Sequence, residues 1–217
     1  MSPGRGAPAS LAGRIAEAAG ILRRGGVVAY PTETFYGLGA LASDGAAVER
    51  LVSAKERPDG KPLPLLGADL SQLEAVALFS PLALRLASRF WPGPLTLVLP
   101  ARPGLHPAIT AGGATVGVRV SSGEVAAALA RAAGGALVAT SANRSGEAPP
   151  TSCDGLDRAL RARLDCVLDG GTTPGGAPST VVEADGDRLI LLRAGAVPLE
   201  LLQAVAPTRL APTPRVI

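Results

Sequence analysis

Two residues draw attention because they break a habit of the chain. Of its 21 basic residues only Lys55 and Lys61 are lysines, and both lie within Lys55-Glu56-Arg57-Pro58-Asp59-Gly60-Lys61-Pro62-Leu63. A sequence so committed to guanidinium keeps an ammonium where the two groups differ in kind. A compact ammonium can follow a phosphoryl group as its charge moves, whereas a guanidinium clamps two oxygens in one plane. Lys55 with Arg57 therefore suits a triphosphate, and a basic surface loop is the plainer alternative. A second candidate is Ser141-Ala142-Asn143-Arg144-Ser145-Gly146, which directly follows an apolar run. Ser141 and Asn143, two apart in extended chain, point the same way. Their neutral groups suit a phosphate or a ribose edge, although a turn or helix cap uses the same residue types.

Two further segments offer polar groups at strand ends, where α/β folds bind ligands. Pro31-Thr32-Glu33-Thr34-Phe35-Tyr36-Gly37-Leu38-Gly39 brings two hydroxyls and a carboxylate beside two glycines. These could orient a small polar substrate, or make a turn with side-chain-to-backbone hydrogen bonds. Asp169 to Thr180 is glycine-rich but lacks the Gly-Lys-Ser/Thr ending of a Walker loop. It reads as an anion nest carrying Ser179 and Thr180, or as a long turn. Arg119 and Arg193 each end an apolar strand pattern. A charged side chain there calls for a partner: a bound carboxylate or phosphate, or an internal acidic residue. The lone histidine, His106, excludes a His-cluster metal site and lies in a proline-flanked loop, where exposure is expected. Cys153 and Cys166 are read as bystanders, not as a disulfide framework.

The elements that must position these residues follow from the hydrophobic pattern. Leu11, Ile15, Ala18 and Leu22 recur at helical spacing, and Arg23-Arg24-Gly25-Gly26 supplies cations and a stop. Further helices are expected over 45–54, 81–90, 123–133, 154–163 and 198–205. Strands are expected over 27–30, 62–66, 95–99, 115–120, 137–140, 167–168, 179–183 and 189–193. Strands and helices alternate, yet some strands follow one another directly. The fold class is thus α/β with an open, twisted mixed sheet flanked by helices. The 217 residues suit one domain, 1–205, with a Pro-containing tail, 206–217. At 47% hydrophobic and only 3% aromatic residues, the core must be built from Ala, Val and Leu. A net charge of +3 permits a structured RNA partner without demanding one. No apolar run spans a membrane and no signal-peptide core opens the chain, so a cytoplasmic location is expected.

Taken together and in order, PTETFYGLG, KERPDGKPL, WPGPLTLVL, TVGVRV, TSANRSG, DGG followed by PSTVV, and LLRAG resemble the YrdC-type threonylcarbamoyl-AMP synthase family over about residues 25–193. The resemblance implies a large concave face on the sheet. It also implies formation of threonylcarbamoyl-AMP and pyrophosphate from L-threonine, bicarbonate and ATP. A transferase complex then passes the threonylcarbamoyl group to tRNA. The family's Lys-x-Arg and Ser-x-Asn signature falls on Lys55, Arg57, Ser141 and Asn143 as catalytic residues that also hold ATP. By the same resemblance Thr32, Arg119 and Ser179 hold L-threonine, while Lys61, Thr115 and Arg193 help hold ATP. Magnesium is expected to arrive with ATP, and no metal site of the protein's own is implied. Many relatives carry Asn where Lys61 stands and some carry His where Leu66 stands, and the chain resembles the single-domain form. The rival readings are a carbamoyl-AMP-forming relative and an RNA-binding module with a vestigial nucleotide site.

Overall fold

The computed structural model describes residues 10–56, 60–144 and 147–211. The chain opens with α1 (Leu11–Arg23), whose N-cap Ser10 side chain accepts from Gly13 N. A hairpin of β1 (Val28–Pro31) and β2 (Tyr36–Gly39) leads to α2 (Gly45–Lys55), capped by Asp44. Next come β3 (Leu65–Gly67), the short α3 (Leu70–Glu74) and α4 (Pro81–Phe90). In α4, Ser80 caps and Pro81 occupies the first turn, where its missing N–H costs nothing. Then β4 (Leu95–Pro100), α5 (Pro107–Thr110), β5 (Thr115–Val120) and α6 (Glu124–Ala133) follow. The remainder is β6 (Leu137–Val138), β7 (Thr140–Ser141), a 3-10 turn at Cys153–Gly155, α7 (Arg158–Arg161), β8 (Cys166–Val167), β9 (Thr180–Asp185), β10 (Arg188–Arg193), α8 (Leu199–Gln203) and β11 (Thr208–Leu210).

The strands form two mixed sheets, where the sequence suggested one. A four-stranded sheet runs β7-β2-β1-β8 and a seven-stranded sheet runs β11-β10-β9-β4-β5-β3-β6. The expected single strand over 137–140 is divided between them. Leu137 and Val138 pair with Leu66 and Leu65, then Thr140 and Ser141 pair with Leu38 and Gly37. Ala139 alone separates the two pairings, and its N–H donates to Pro64 O at 2.8 Å. Hydrophobic alternation reports burial, not which neighbour a strand meets, so the hand-over leaves no mark in the sequence.

Other expectations are corrected in detail. The strand expected over 62–66 is Leu65–Gly67, paired on both sides. The helix expected over 154–163 is a 3-10 turn followed by a single turn of α-helix. Thr208–Leu210, assigned above to a tail, pairs in parallel with Leu189–Leu191 and extends the larger sheet. The core is aliphatic, as the composition requires. A main cluster includes Leu51, Leu65, Leu97 and Val118, and a second joins α1 and α6 to the sheets through Ala19, Leu22, Ala126 and Leu129.

Candidate active site

A cavity of about 440 Å³ takes its lining from both sheets, a size typical of small-molecule sites. From the smaller sheet come the β1–β2 turn, Tyr36 and Gly37 of β2, and Thr140 and Ser141 of β7. From the larger come Thr96, Arg119 and Val181, while the glycine-rich segment contributes Gly176, Pro178 and Ser179, and Arg193 lies at the end of β10. Among the sequence candidates, the cavity therefore brings together Thr32, Arg119, Ser141, Ser179 and Arg193.

Lys55 is the last residue of α2 and is buried, not a residue of a basic surface loop. Its ammonium reaches across to β7, donating to Thr140 Oγ1 at 2.9 Å, Ser141 O at 2.5 Å and Ser141 Oγ at 3.2 Å. Both acceptor residues line the cavity, so the cation stands directly behind its wall. Glu56 then adopts the left-handed conformation at φ 50°, which ends the helix. Arg57 lies outside the described residues. Asn143, two residues beyond Ser141, donates through Nδ2 to Arg144 O at 2.9 Å and Glu147 O at 2.7 Å. Its Oδ1 is buried and has no hydrogen-bond partner among the described residues. An orphan acceptor of this kind is costly unless another group arrives to satisfy it.

At the other end, Arg119 forms an ion pair with Glu33, and both side chains are nearly buried. Of the two partners the sequence left open for Arg119, an internal acidic residue is therefore present, and the arginine still lines the cavity. Burial lowers the Arg119 pKa to about 10; the nearby Tyr30 acts against this shift and Arg193 with it. Arg193 donates to Ser179 O at 2.9 Å and to Ser179 Oγ at 3.1 Å, and burial lowers its pKa as well. Both guanidinium groups stay charged at neutral pH.

The Thr32 hydroxyl is engaged within its own turn. It donates to Phe35 O at 2.7 Å and accepts from Thr34 N at 3.2 Å and Phe35 N at 3.3 Å. The segment is thus a turn held by side-chain-to-backbone hydrogen bonds, and it also lines the cavity. Thr115 starts β5 on the same face as Arg119 but four residues earlier, roughly 13 Å along the strand, and does not line the cavity. Lys61 is half-buried and also absent from the lining.

The sequence reading missed Thr96 and Ser121. Thr96 is buried, lines the cavity and shares a 2.9 Å hydrogen bond with Ser179 Oγ. Its signal is the single hydroxyl within Leu95-Thr96-Leu97-Val98-Leu99, which a buried strand carries only when the hydroxyl has a partner. Ser121 donates to Glu33 and is equally buried. His106, expected to be exposed, is partly covered: Nδ1 accepts from Ala108 N at 3.3 Å at the start of α5, and Nε2 meets Glu49.

A family model for Sua5, YciO and YrdC proteins, described as telomere recombination, matches residues 20–195. The Bacillus subtilis threonylcarbamoyl-AMP synthase is 44% identical over 194 residues, 88% of this chain and 56% of that protein. The Alkalilimnicola ehrlichii threonylcarbamoyl-AMP synthase is 42% identical over 82% of this chain and 94% of its own length. The crystal structure of Pyrococcus abyssi Sua5 complexed with L-threonine superimposes with a TM-score of 0.84 at 42% identity, covering 90% of this chain and 58% of that one. The chain thus spans little more than half of some of the relatives it matches and nearly all of another. Because the matched region, residues 20–195, holds every strand except β11 and every lining residue of the cavity, the chain belongs to the Sua5/YciO/YrdC family.

Proposed function

We propose that this chain forms threonylcarbamoyl-AMP and pyrophosphate from L-threonine, bicarbonate and ATP. The observation that carries the reading is one cavity with the Arg119 guanidinium at one end and a wall backed by the Lys55 ammonium. The first end suits an amino-acid carboxylate and the second a polyphosphate. Similarity to synthases of this name, and to a Sua5 structure holding L-threonine, supports the same assignment.

The amine of threonine and bicarbonate combine to a carbamate with loss of water. A carbamate oxygen then attacks the α-phosphorus of ATP, and the bond to the β-phosphate oxygen breaks to release pyrophosphate. Arg119, with Ser179 and Thr32 nearby, seats the amino acid. Lys55, Arg57, Ser141 and Asn143 act on the phosphates, with Lys61, Thr115 and Arg193 contributing to nucleotide binding. Lys55 offsets the negative charge that gathers on the departing phosphates. Ser141 Oγ lies beside it at 3.2 Å, and the unsatisfied Asn143 Oδ1, an acceptor, suits a ribose hydroxyl of the nucleotide. Magnesium enters as part of the nucleotide substrate. Holding a short-lived carbamate next to ATP is itself a large part of the catalysis. The product then serves a tRNA-modifying transferase complex in the cytoplasm, and the net positive charge is compatible with direct RNA contact.

The reaction is tested by measuring pyrophosphate released from magnesium-ATP with threonine and bicarbonate added singly and together. Release only with both supports the proposal. Equal release without threonine supports the carbamoyl-AMP alternative. No release, with tight salt-sensitive binding to structured RNA, supports the binding module.

A further inference from the structure

Glu33 has no part in the chemistry above, yet its carboxylate is built into the amino-acid end of the cavity. One oxygen meets Arg119 Nη1 and the other accepts from Ser121 Oγ. Ser121 is 1% exposed and its oxygen accepts from Gly123 N at 3.1 Å, which leaves the hydroxyl proton for Glu33. The carboxylate is thus held from two directions by β5 and by the segment that follows it. Gly123 makes room for this contact, since a Cβ there would lie 2.9 Å from Glu33 N and 3.1 Å from Thr32 C.

Arg119 is held differently. Its guanidinium has one protein hydrogen-bond partner among the described residues, Glu33 at Nη1, and it lines the cavity. With one nitrogen fixed, the remaining N–H donors keep the geometry that a second planar oxyanion requires. The charges balance in the same sense. Arg193 is close enough to disfavour the charge on Arg119, and the Glu33 carboxylate opposes that repulsion. A carboxylate that only filled an empty seat would need freedom to leave it, whereas Glu33 is anchored by the buried Ser121.

We propose that Glu33 is a positioning residue: by gripping Arg119 at Nη1 it aims the remaining guanidinium donors at the substrate carboxylate. This inference rests on the amino-acid seat proposed above. It is tested by separate threonine and ATP titrations of pyrophosphate release with Glu33→Gln, which keeps the size and an acceptor for Ser121 but removes the charge. The KM for threonine is expected to rise at least tenfold while the KM for ATP stays within twofold and the melting temperature is retained. Gly123→Ala, which displaces the Glu33 backbone, should give the same split. An unchanged KM for threonine, or equal rises for both substrates, overturns the inference. If Glu33→Gln does not fold, Ser121→Ala is read by the same criteria. A wild-type chain without threonine-dependent pyrophosphate release would refute the proposed reaction alone. The inference would then be decided by a crystal structure of ligand-free Glu33→Gln. There, an Arg119 guanidinium still directed at the cavity overturns it, and one turned away supports it.

Discussion

Lys55 combines a cation with almost complete burial, a combination tolerated only when oxygens surround the ammonium. Thr140 and Ser141 supply those oxygens and at the same time form the cavity wall. Replacing Lys55 with alanine removes the cation and leaves buried polar groups unmatched. Lys55→Ala is therefore expected to lose at least 100-fold in turnover, on the scale of a lost electrostatic contact to a reacting group. It should also lose about 1–3 kcal/mol of stability for the polar groups left unpaired. Pyrophosphate release and urea unfolding measure the two effects. A variant that keeps wild-type turnover would end the phosphate role. Arg119→Ala is expected to raise the KM for threonine far more than that for ATP, and equal changes would end the carboxylate assignment. Lys55 stands out in the sequence through the scarcity of lysine. Its burial does not, because a terminal helical lysine followed by Glu-Arg-Pro-Asp has the composition of a solvated loop.

The elements around the site are tied together by side chains far from the cavity. Asp165, just before β8, accepts from Val27 N at 2.7 Å ahead of β1 and pairs with Arg50 of α2. Arg50 in turn donates to Gly25 O at 2.8 Å beyond α1. Burial alone would raise the Asp165 pKa, but the Val27 N–H and the Arg50 guanidinium outweigh it and hold the carboxyl below its usual range. A carboxyl with a lowered folded-state pKa stabilises above its unfolded value, near 3.9, and loses that stabilisation as pH falls through the folded value. Asp165→Asn should therefore cost about 1 kcal/mol at pH 7, a figure kept small because the group is about one-third exposed. The difference from wild type should begin to shrink as pH falls below about 4 and vanish below the folded-state value. Parallel denaturant titrations across that range check it, and a difference that persists in acid would refute the linkage. The stop of α1 at Gly25-Gly26 is legible in the sequence, while Ser10, Asp44 and Ser80 cap the helices that follow them. The contacts that Asp165 makes across more than a hundred residues carry no local signature.

Across the molecule, one chain segment passes from the larger sheet to the smaller at Ala139, the residues after β2 also bond to β6, and the cavity is lined from both sheets. Alternation and punctuation in the sequence place most strands and the α/β class, but not the division into two sheets, because Leu137 to Thr140 reads as one strand. The same limit applies to the C-terminal end, where Pro207 and Pro212 suggest a tail while Thr208–Leu210 closes one sheet edge. Ending the chain after Ala206 removes that strand and its bonds, including Leu189 N to Pro207 O at 2.9 Å and Ala211 N to Leu191 O at 3.0 Å. A loss of about 2 kcal/mol is expected from a few backbone hydrogen bonds. Thermal melting of the shortened chain checks this, and an unchanged midpoint would mean that the added strand contributes nothing. The burial of one of only two lysines also makes the native chain almost inert, at its side chains, to amine acylation. An activated ester should mark Lys61 first and reach Lys55 only in molecules that have opened. The mass of the Lys55 peptide would then count unfolding events directly, with no engineered label.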